Sequence, residues 1–412
     1  MNEFFKKNYH ILAYILLYSS VIIAFFFNEN VTSGPYHDLQ YTLKQVKIFE
    51  KDFLYSFLNY DKIESPNRLS PVYIATLVLF KKIFINFDLA RFFLMHVLII
   101  SQLYFYKCLR IIYFRKFSVD KKILFLLSCI IFLSPSFRAN IIWVESSMFG
   151  LLLFLVSLYY FLKNQKLFKK KNVYLNIFFL ALAAYLRPSY SLFALYFFYI
   201  FIKYYKEKIS IYSITLMNFA LAFPAIYYVF ILGVFFISFG GLSLNYSDKI
   251  GIISSIIFFH IIPFIYFKKN IFDKDYTAII FSLLASLLII YFFRYDLSQA
   301  GGGFFLHLSK FLFKNNYFFY LLLPLFIFVI LKFAKINFTN NIILIIILFM
   351  ITPQYHIFHK YYDPLVFILF LTIFDLKFEK NLFFNNKFLV ISYLFFLFHY
   401  SISFINTYYI NF

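Results

Sequence analysis

Acidic side chains are scarce in this 412-residue chain: 18 Asp and Glu stand against 39 Lys and Arg, and charged residues of both signs make up only 14%. So little charge excludes a water-soluble globular protein of this size. Cysteine is nearly absent as well. Cys108 and Cys129 lie in or beside apolar runs without CxxC spacing, so they support neither a disulfide framework nor a metal site. No HExxH, no P-loop and no GxSxG occurs, which leaves zinc-protease, NTPase and serine-hydrolase chemistry without support.

What fills the chain is hydrocarbon. Hydrophobic residues make up 63%, the mean hydropathy is +0.79, and apolar runs of about twenty residues, enough to cross a bilayer core, recur from end to end. The pattern predicts an all-α, polytopic integral membrane protein with about thirteen transmembrane helices in a single transmembrane domain, 1–412, because only helices and closed barrels satisfy their backbone in lipid. The first run, "ILAYILLYSSVIIAFFF", lacks a small-residue cleavage pattern and reads as a retained helix rather than a removed signal. The 67 Phe and 37 Tyr read as lipid-facing or packing rings rather than sugar-stacking boxes.

The net charge of +21 does not indicate nucleic acid, because the basic residues sit in short clusters beside apolar spans, where the positive-inside bias puts them. Clusters at Lys6 and Lys7, Lys107 to Lys122, 163–171, 203–208, 267–275, Lys332 and Lys335, and 377–387 are assigned to the cytoplasm. The segments between them, 29–68, 134–147, the turn at Arg187, 240–249, 294–315 and 352–363, then share the opposite face. One stretch breaks the alternation. Residues 69–122 hold two apolar runs where the charges require an odd number of crossings, so either the first, interrupted by Lys81 and Lys82, is partly re-entrant or the basic run departs from the bias.

The first outer loop, 29–68, holds six of the eighteen carboxylates: Glu29, Asp38, Glu50, Asp52, Asp61 and Glu64. Leu39, Leu43, Val46, Phe49, Phe53 and Phe57 recur there at steps of three or four, the mark of an amphipathic helix lying on the membrane surface. Asp38 falls at the start of that helix as a natural N-cap, a role compatible with chemistry, while Glu50 and Asp52 read as solvated. The other outer segments bring cations and turns. "LSPSFRANIIWVES" places Arg138 and Glu145 around a Pro break, and "AAYLRPSY" sets Arg187 before Pro188. "FGGLSLNYSDK" offers Gly240 and Gly241, and "RYDLSQAGGGFFLHLSK" offers Arg294, Asp296, three glycines and His307. The late outer loop "TPQYHIFHKYYDP" holds His356, His359, Lys360 and Asp363. Ionisable groups at membrane depth are costly and tend to mark sites or pathways. The mid-span His96 and His260 read as hydrogen-bonded packing residues.

A lone outward carboxylate facing several cations has the parts to transfer a sugar from a lipid-phosphate carrier. The carboxylate deprotonates the attacking hydroxyl, and the cations stabilise the departing phosphate. That chemistry asks for no metal and no cofactor beyond the lipid-phosphate sugar as co-substrate.

At these residues the chain resembles the GT-C class of polytopic glycosyltransferases. Within it, the chain is most similar to the terminal alpha-1,2-glucosyltransferase family of dolichol-linked oligosaccharide synthesis. The resemblance rests on Asp38 followed seven residues later by Gln45, on the loop exit "RLSPVY", on "LRPSY", on "GGGFFLH" and on "HKYYDP". The chain departs from that pattern in keeping a single proline, Pro71, in having Pro188 after the arginine, and in lacking Trp-Asp-Pro in the first loop.

The resemblance implies a metal-independent, inverting hexosyl transfer from a polyprenyl-phosphate donor to a glycan or lipid-linked acceptor. Asp38 would be the base; Arg187, His359 and Lys360 would hold the phosphate, and Gln45, Arg138 and His307 would complete substrate binding. Membrane lipid would be the other partner and nucleic acid would not. Apart from the resemblance, the Lys-, Ile- and Asn-rich composition suits a bacterial inner membrane with the site facing the periplasm; an endoplasmic-reticulum enzyme with the site facing the lumen is the alternative, and the carrier, dolichol or a bacterial polyprenol, stays open. Sugar, linkage and acceptor stay open. An O-antigen-type polymerase and a lipid-linked oligosaccharide flippase or transporter are the competing readings. Few mid-span charges and no visible symmetry between halves weigh against a transporter.

Overall fold

The computed structural model describes residues 2–32, 34–63, 69–84, 86–114, 119–205, 207–233, 245–265, 272–295, 301–377 and 386–410. Gly240, Gly241, Glu64 and Asp296, singled out above, lie outside the described residues. The chain packs as two compact units: Met1–Phe239 together with Phe396–Phe412, and Gly240–Phe395.

The first unit opens with α1 (Asn2–Phe26), α2 (Gly34–Lys51), α3 (Phe53–Leu58), α4 (Pro71–Ile83) and α5 (Phe87–Leu109). It continues through α6 (Lys121–Cys129), α7 (Pro135–Ile142), α8 (Ser146–Lys166), α9 (Lys170–Leu186), α10 (Phe193–Tyr205) and α11 (Ile211–Ile226). Local chemistry sets several starts. Asn86 caps α5 by accepting from the Leu89 amide (2.8 Å), and Ser134 caps α7 by accepting from Phe137 (2.9 Å), with Pro135 opening that helix. Helices α8 and α9 are locked by a buried polar pair: Asn176 Nδ2 donates to the Ser157 carbonyl and hydroxyl (3.1 and 2.8 Å), and Ser157 donates back to the Asn176 carbonyl (2.8 Å).

The second unit holds α12 (Tyr246–Ile265), α13 (Tyr276–Phe292), α14 (Gly303–Phe313), α15 (Tyr317–Ile336), α16 (Phe338–Met350) and α17 (Leu365–Thr372); α18 (Asn386–Ile405) begins in it and ends in the first. All eight residues of α17 are buried, as is most of α12.

The protein is an integral membrane protein and largely helical, but the expected thirteen spans are not found. Among the described residues seven helices are long and apolar enough to cross a bilayer: Asn8–Phe26, Phe87–Phe114, Ser146–Lys166, Ile211–Ile231, Tyr246–Ile265, Tyr317–Ile336 and Asn386–Tyr409. An eighth results if Lys121–Leu133 and Pro135–Ile142, which meet at 71°, count as one broken span. Apolar composition overcounted because much of the hydrocarbon is core rather than lipid-facing. Helix α17 is seven buried apolar side chains ending in a buried threonine, and α14 and α16 are apolar but only 11 and 13 residues long. The contested segment resolves the same way. Helix α4 has 13 residues, about 20 Å at 1.5 Å each against a core of about 30 Å, so only α5 between residues 69 and 122 is long enough to cross.

The amphipathic periodicity after the first span forms two helices. Helix α2 buries Leu39, Val46 and Phe49, and the chain breaks at Asp52, whose carboxylate caps α3 by accepting from Tyr55 (3.0 Å). Glu50 pairs with Lys81 of α4 at 2.8 Å. Asp38 is not an N-cap. Helix α2 starts four residues earlier, at Gly34, with Pro35 in its first turn where no amide hydrogen is needed.

Candidate functional site

Arg138 lies in the first unit on α7, a short helix buried throughout. Its guanidinium grips Glu29 bidentately, Nε to Oε1 and Nη2 to Oε2, both at 3.0 Å, with the two side chains 5% and 9% exposed. Nη1 donates to the Ser20 hydroxyl at 2.9 Å, and the Tyr400 hydroxyl donates to Glu29 Oε2 at 2.9 Å. The Arg138 fork is therefore spent on joining α1, α7 and the end of α18, geometry that suits a structural pin better than a substrate cation.

Asp38 stands elsewhere on the first unit, half-buried within α2, where Thr42 donates its hydroxyl to the Asp38 carbonyl (2.7 Å). The side chain shares a face with Thr42 and Gln45, one turn apart. That face is turned to Tyr73 of α4, which is 1% exposed and donates its hydroxyl to the Val144 carbonyl at 2.7 Å. The Tyr73 phenol is pushed well above its ordinary value by burial, then by the negative charges of Glu145 and Asp38, with a hydrogen bond to Thr42 acting in the opposite direction. Two carboxylates thus act on one buried phenol.

Glu145 follows a strained turn. Val144 has φ +55°, in the left-handed region that a β-branched residue avoids. Three hydrogen bonds hold the turn: Tyr73 to the Val144 carbonyl, the Glu145 amide to the Asn140 carbonyl (2.9 Å), and Ser147 Oγ to Glu145 Oε2.

Arg187 terminates α9 in extended backbone, and the tight 3-10 turn Pro188–Leu192 follows because Pro188 cannot continue the helix. Gly150 of α8 makes room for it. A Cβ at Gly150 would come within 2.9 Å of the Arg187 Cβ and 2.7 Å of the Tyr190 ring. The Tyr190 phenol is raised by burial, opposed by the positive charge of Arg187, and raised further by Glu145. Asp38 and Glu145 act on Tyr73, and Glu145 and Arg187 act on Tyr190, so the two carboxylates, the guanidinium and the two buried phenols are linked electrostatically through Glu145. A carboxylate can take a proton, and a guanidinium can stabilise a departing anion. Of the sequence-stated residues, Asp38 and Arg187 are brought to it; Gln45 is fully buried and accepts from Tyr60 (3.4 Å).

Glu145, Tyr73 and Tyr190 were not assigned roles from sequence. The signals present were the glutamate closing "WVES", the tyrosine of "SPVY" and the tyrosine of "RPSY".

His307, His359 and Lys360 lie in the second unit. His307 is exposed and donates from Nε2 to the Gly301 carbonyl (2.7 Å). Gly301 has φ +92°, and a Cβ there would meet the Tyr295 hydroxyl at 2.5 Å and the Ile357 carbonyl oxygen at 2.9 Å. The glycine run therefore lets loop 301–303 close on the 352–363 loop, and the Gly302 amide donates to Ile357 (2.9 Å). Lys360 lies over the rings of Phe358 and Tyr361 (5.6 and 5.8 Å). The His359 ring is 5.1 Å from that of His260.

His96 is bonded to its own helix through the Phe92 carbonyl (2.7 Å). His260 does more than pack. Its Nδ1 bonds the Ile256 carbonyl at 2.9 Å, and its Nε2 is 3.6 Å from Asp363 Oδ1, with both side chains fully buried. A carbonyl only accepts, so Nδ1 is the donor of that bond.

Among the described residues no three or more His, Cys, Asp or Glu side chains are gathered as metal ligands. The chain matches no family model, no curated protein and no solved structure.

Proposed function

We propose that this protein transfers a hexose from a polyprenyl-phosphate donor to a glycan or lipid-linked acceptor at the non-cytoplasmic face of a bacterial inner membrane, with Asp38 as general base. The observation that supports this reading is the grouping of Asp38, Glu145 and Arg187 around the two buried phenols Tyr73 and Tyr190. Asp38 takes the proton of the acceptor hydroxyl as its oxygen attacks the anomeric carbon. The bond from that carbon to the phosphate oxygen breaks with its electron pair, and configuration inverts. Arg187 offsets the charge gathering on the leaving phosphate. Glu145 and Tyr73 position the base, and the strain at Val144 is the kind of outlier that concentrates at working sites.

Membranes supplied with labelled polyprenyl-phosphate hexoses test the reading. Asp38→Asn should cut transfer by about 10²–10⁴, the range of general-base catalysis, while Trp143 fluorescence reports an intact fold. Wild-type rates in that variant would sink the assignment of Asp38.

A second reading, a lipid-linked oligosaccharide flippase or other transporter, draws on the buried His260–Asp363 pair on a span of the second unit. Intramembrane ionisable pairs of this kind mark proton pathways. The two separate cleanly: transport predicts substrate movement that Asp363→Asn abolishes and Asp38→Asn spares.

A further inference from the structure

Helix α2 has a second working face. Asp38, Thr42 and Gln45 lie on one side of it; Tyr36, Gln40 and their neighbours, at the opposite phase of the helical repeat, line an open-sided cavity of about 410 Å³ completed by Asn28, Asp88, Arg91 and Trp143. That volume is in the ~300–1,000 Å³ range of small-molecule sites.

Arg91 is the centre of it. The residue is 6% exposed, with its guanidinium carbon 4.6 Å from the ring centroids of both Phe25 and Trp143. Nη2 donates to Asn28 Oδ1 (2.9 Å) and lies 3.4 Å from Asp88 Oδ1. Nε–H is buried and has no acceptor among the described residues.

The lining selects among ligands. Arg91 and Asp88 cancel in charge, so an anion gains no net field and must lie beside a carboxylate that is 78% exposed. A hydrocarbon would leave the polar groups of Asn28, Gln40 and Asp88, all exposed at the cavity's edge, unmatched. Hydroxyls that both donate and accept suit the polar part of the lining, accepting from the Gln40 amide and donating to Asp88 and the Gln40 carbonyl, while Leu39, Leu43, Phe87 and Trp143 offer apolar surface to the C–H faces of a ring. We propose that this cavity is a binding site for a neutral pyranose sugar, separate from the Asp38 cluster. It goes beyond the transfer reading, because it lies on the other face of α2 and binding there requires no reaction.

Trp143 is the only tryptophan in the chain and its ring touches both Arg91 and Tyr36, the latter edge-on at 4.9 Å. The full chain in a polyoxyethylene detergent, free of sugar headgroups, is titrated with methyl glycosides of glucose, galactose and mannose and, separately, with inorganic phosphate. Emission is excited at the red edge, where tyrosine is silent. The expected result is a saturable change with at least one glycoside and none with phosphate. That response should weaken at least tenfold in Gln40→Ala, an exposed position that leaves the fold intact, and vanish in Arg91→Lys. No response to any glycoside, a response to phosphate alone, or a sugar response unaltered by Gln40→Ala overturns the proposal. Asp38→Asn keeps the response, so a silent Trp143 with active transfer refutes this site alone, and a responsive Trp143 without transfer refutes only the enzyme reading.

Discussion

Removing Arg138 should destabilise the first unit more than losing any surface charge. The Arg138→Ala variant leaves the Glu29 carboxylate, 9% exposed, without the two 3.0 Å bonds that compensate its burial. Stranding one partner of a buried pair costs about 3–5 kcal/mol, or roughly two to three and a half decades in the unfolding equilibrium at about 1.4 kcal/mol per decade. Tyr400 still donates to Glu29 at 2.9 Å, which puts the truncation toward the lower end.

Glu29→Ala should cost as much or more, because it leaves a cation with only the Ser20 hydroxyl and carbonyl and the Phe132 carbonyl. The double replacement Arg138→Met with Glu29→Leu strands neither charge and should recover most of the loss. Unfolding in mixed micelles of rising dodecyl sulfate content, followed by Trp143 emission, reports on this site directly, because Trp143 Nε1 donates to the Glu29 carbonyl at 2.9 Å. A loss below about 1 kcal/mol in Arg138→Ala, the scale of an exposed pair, would refute the argument. So would a double variant as unstable as the two single losses summed.

Two further perturbations test local geometry. Gly150→Ala sets a methyl 2.7 Å from the Tyr190 ring and 2.9 Å from the Arg187 Cβ. Overpacking of this sort costs about 1–3 kcal/mol, so both thermal stability and transfer rate should fall, and a variant indistinguishable from wild type in both would show that Arg187 is not seated against α8. In the second unit, hydrogen bonds from the Lys335 ammonium, the Thr277 hydroxyl and the Ala278 amide hold the Asp275 carboxyl well below its ordinary value of 3.8. The native state therefore releases that proton more readily than the unfolded chain. Its stabilising contribution is complete above the ordinary value and disappears as pH falls through the depressed one. Lys335→Met should move the acid limb of the stability curve toward neutral pH, and an unmoved limb would remove Lys335 as the cause.

Composition alone was enough to read the membrane class and the helical backbone, because apolar runs in lipid have few other ways to satisfy their peptide groups. Span number was not, since hydropathy cannot tell hydrocarbon facing lipid from hydrocarbon facing other helices. Helix α17 is as greasy as any span and entirely enclosed. The start of α2 was misread for a local reason: Ser-Gly-Pro reads as a breaker, yet proline in a first turn begins a helix as readily as it ends one.

Separation along the chain hid the rest. Arg138 reads as a cation available to substrate until Glu29, 109 positions earlier, takes both its forks. Asp363 gives no sign that it faces His260, about a hundred residues before it. The two residues read most simply, Asp38 and Arg187, carry the proposed chemistry because both sit where a helix ends or is unusually polar. Of the groups that complete the proposed site, Tyr190 comes from Arg187's own turn, while Tyr73 and Glu145 arrive from two other segments that only tertiary packing joins. A sequence shows which groups are costly to keep in a membrane; whether the cost supports structure or reaction depends on what each group meets there. Arg138 meets a full complement of acceptors and pins helices together, whereas Arg91 keeps one buried N–H without an acceptor among the described residues and lines the cavity for which a sugar is proposed.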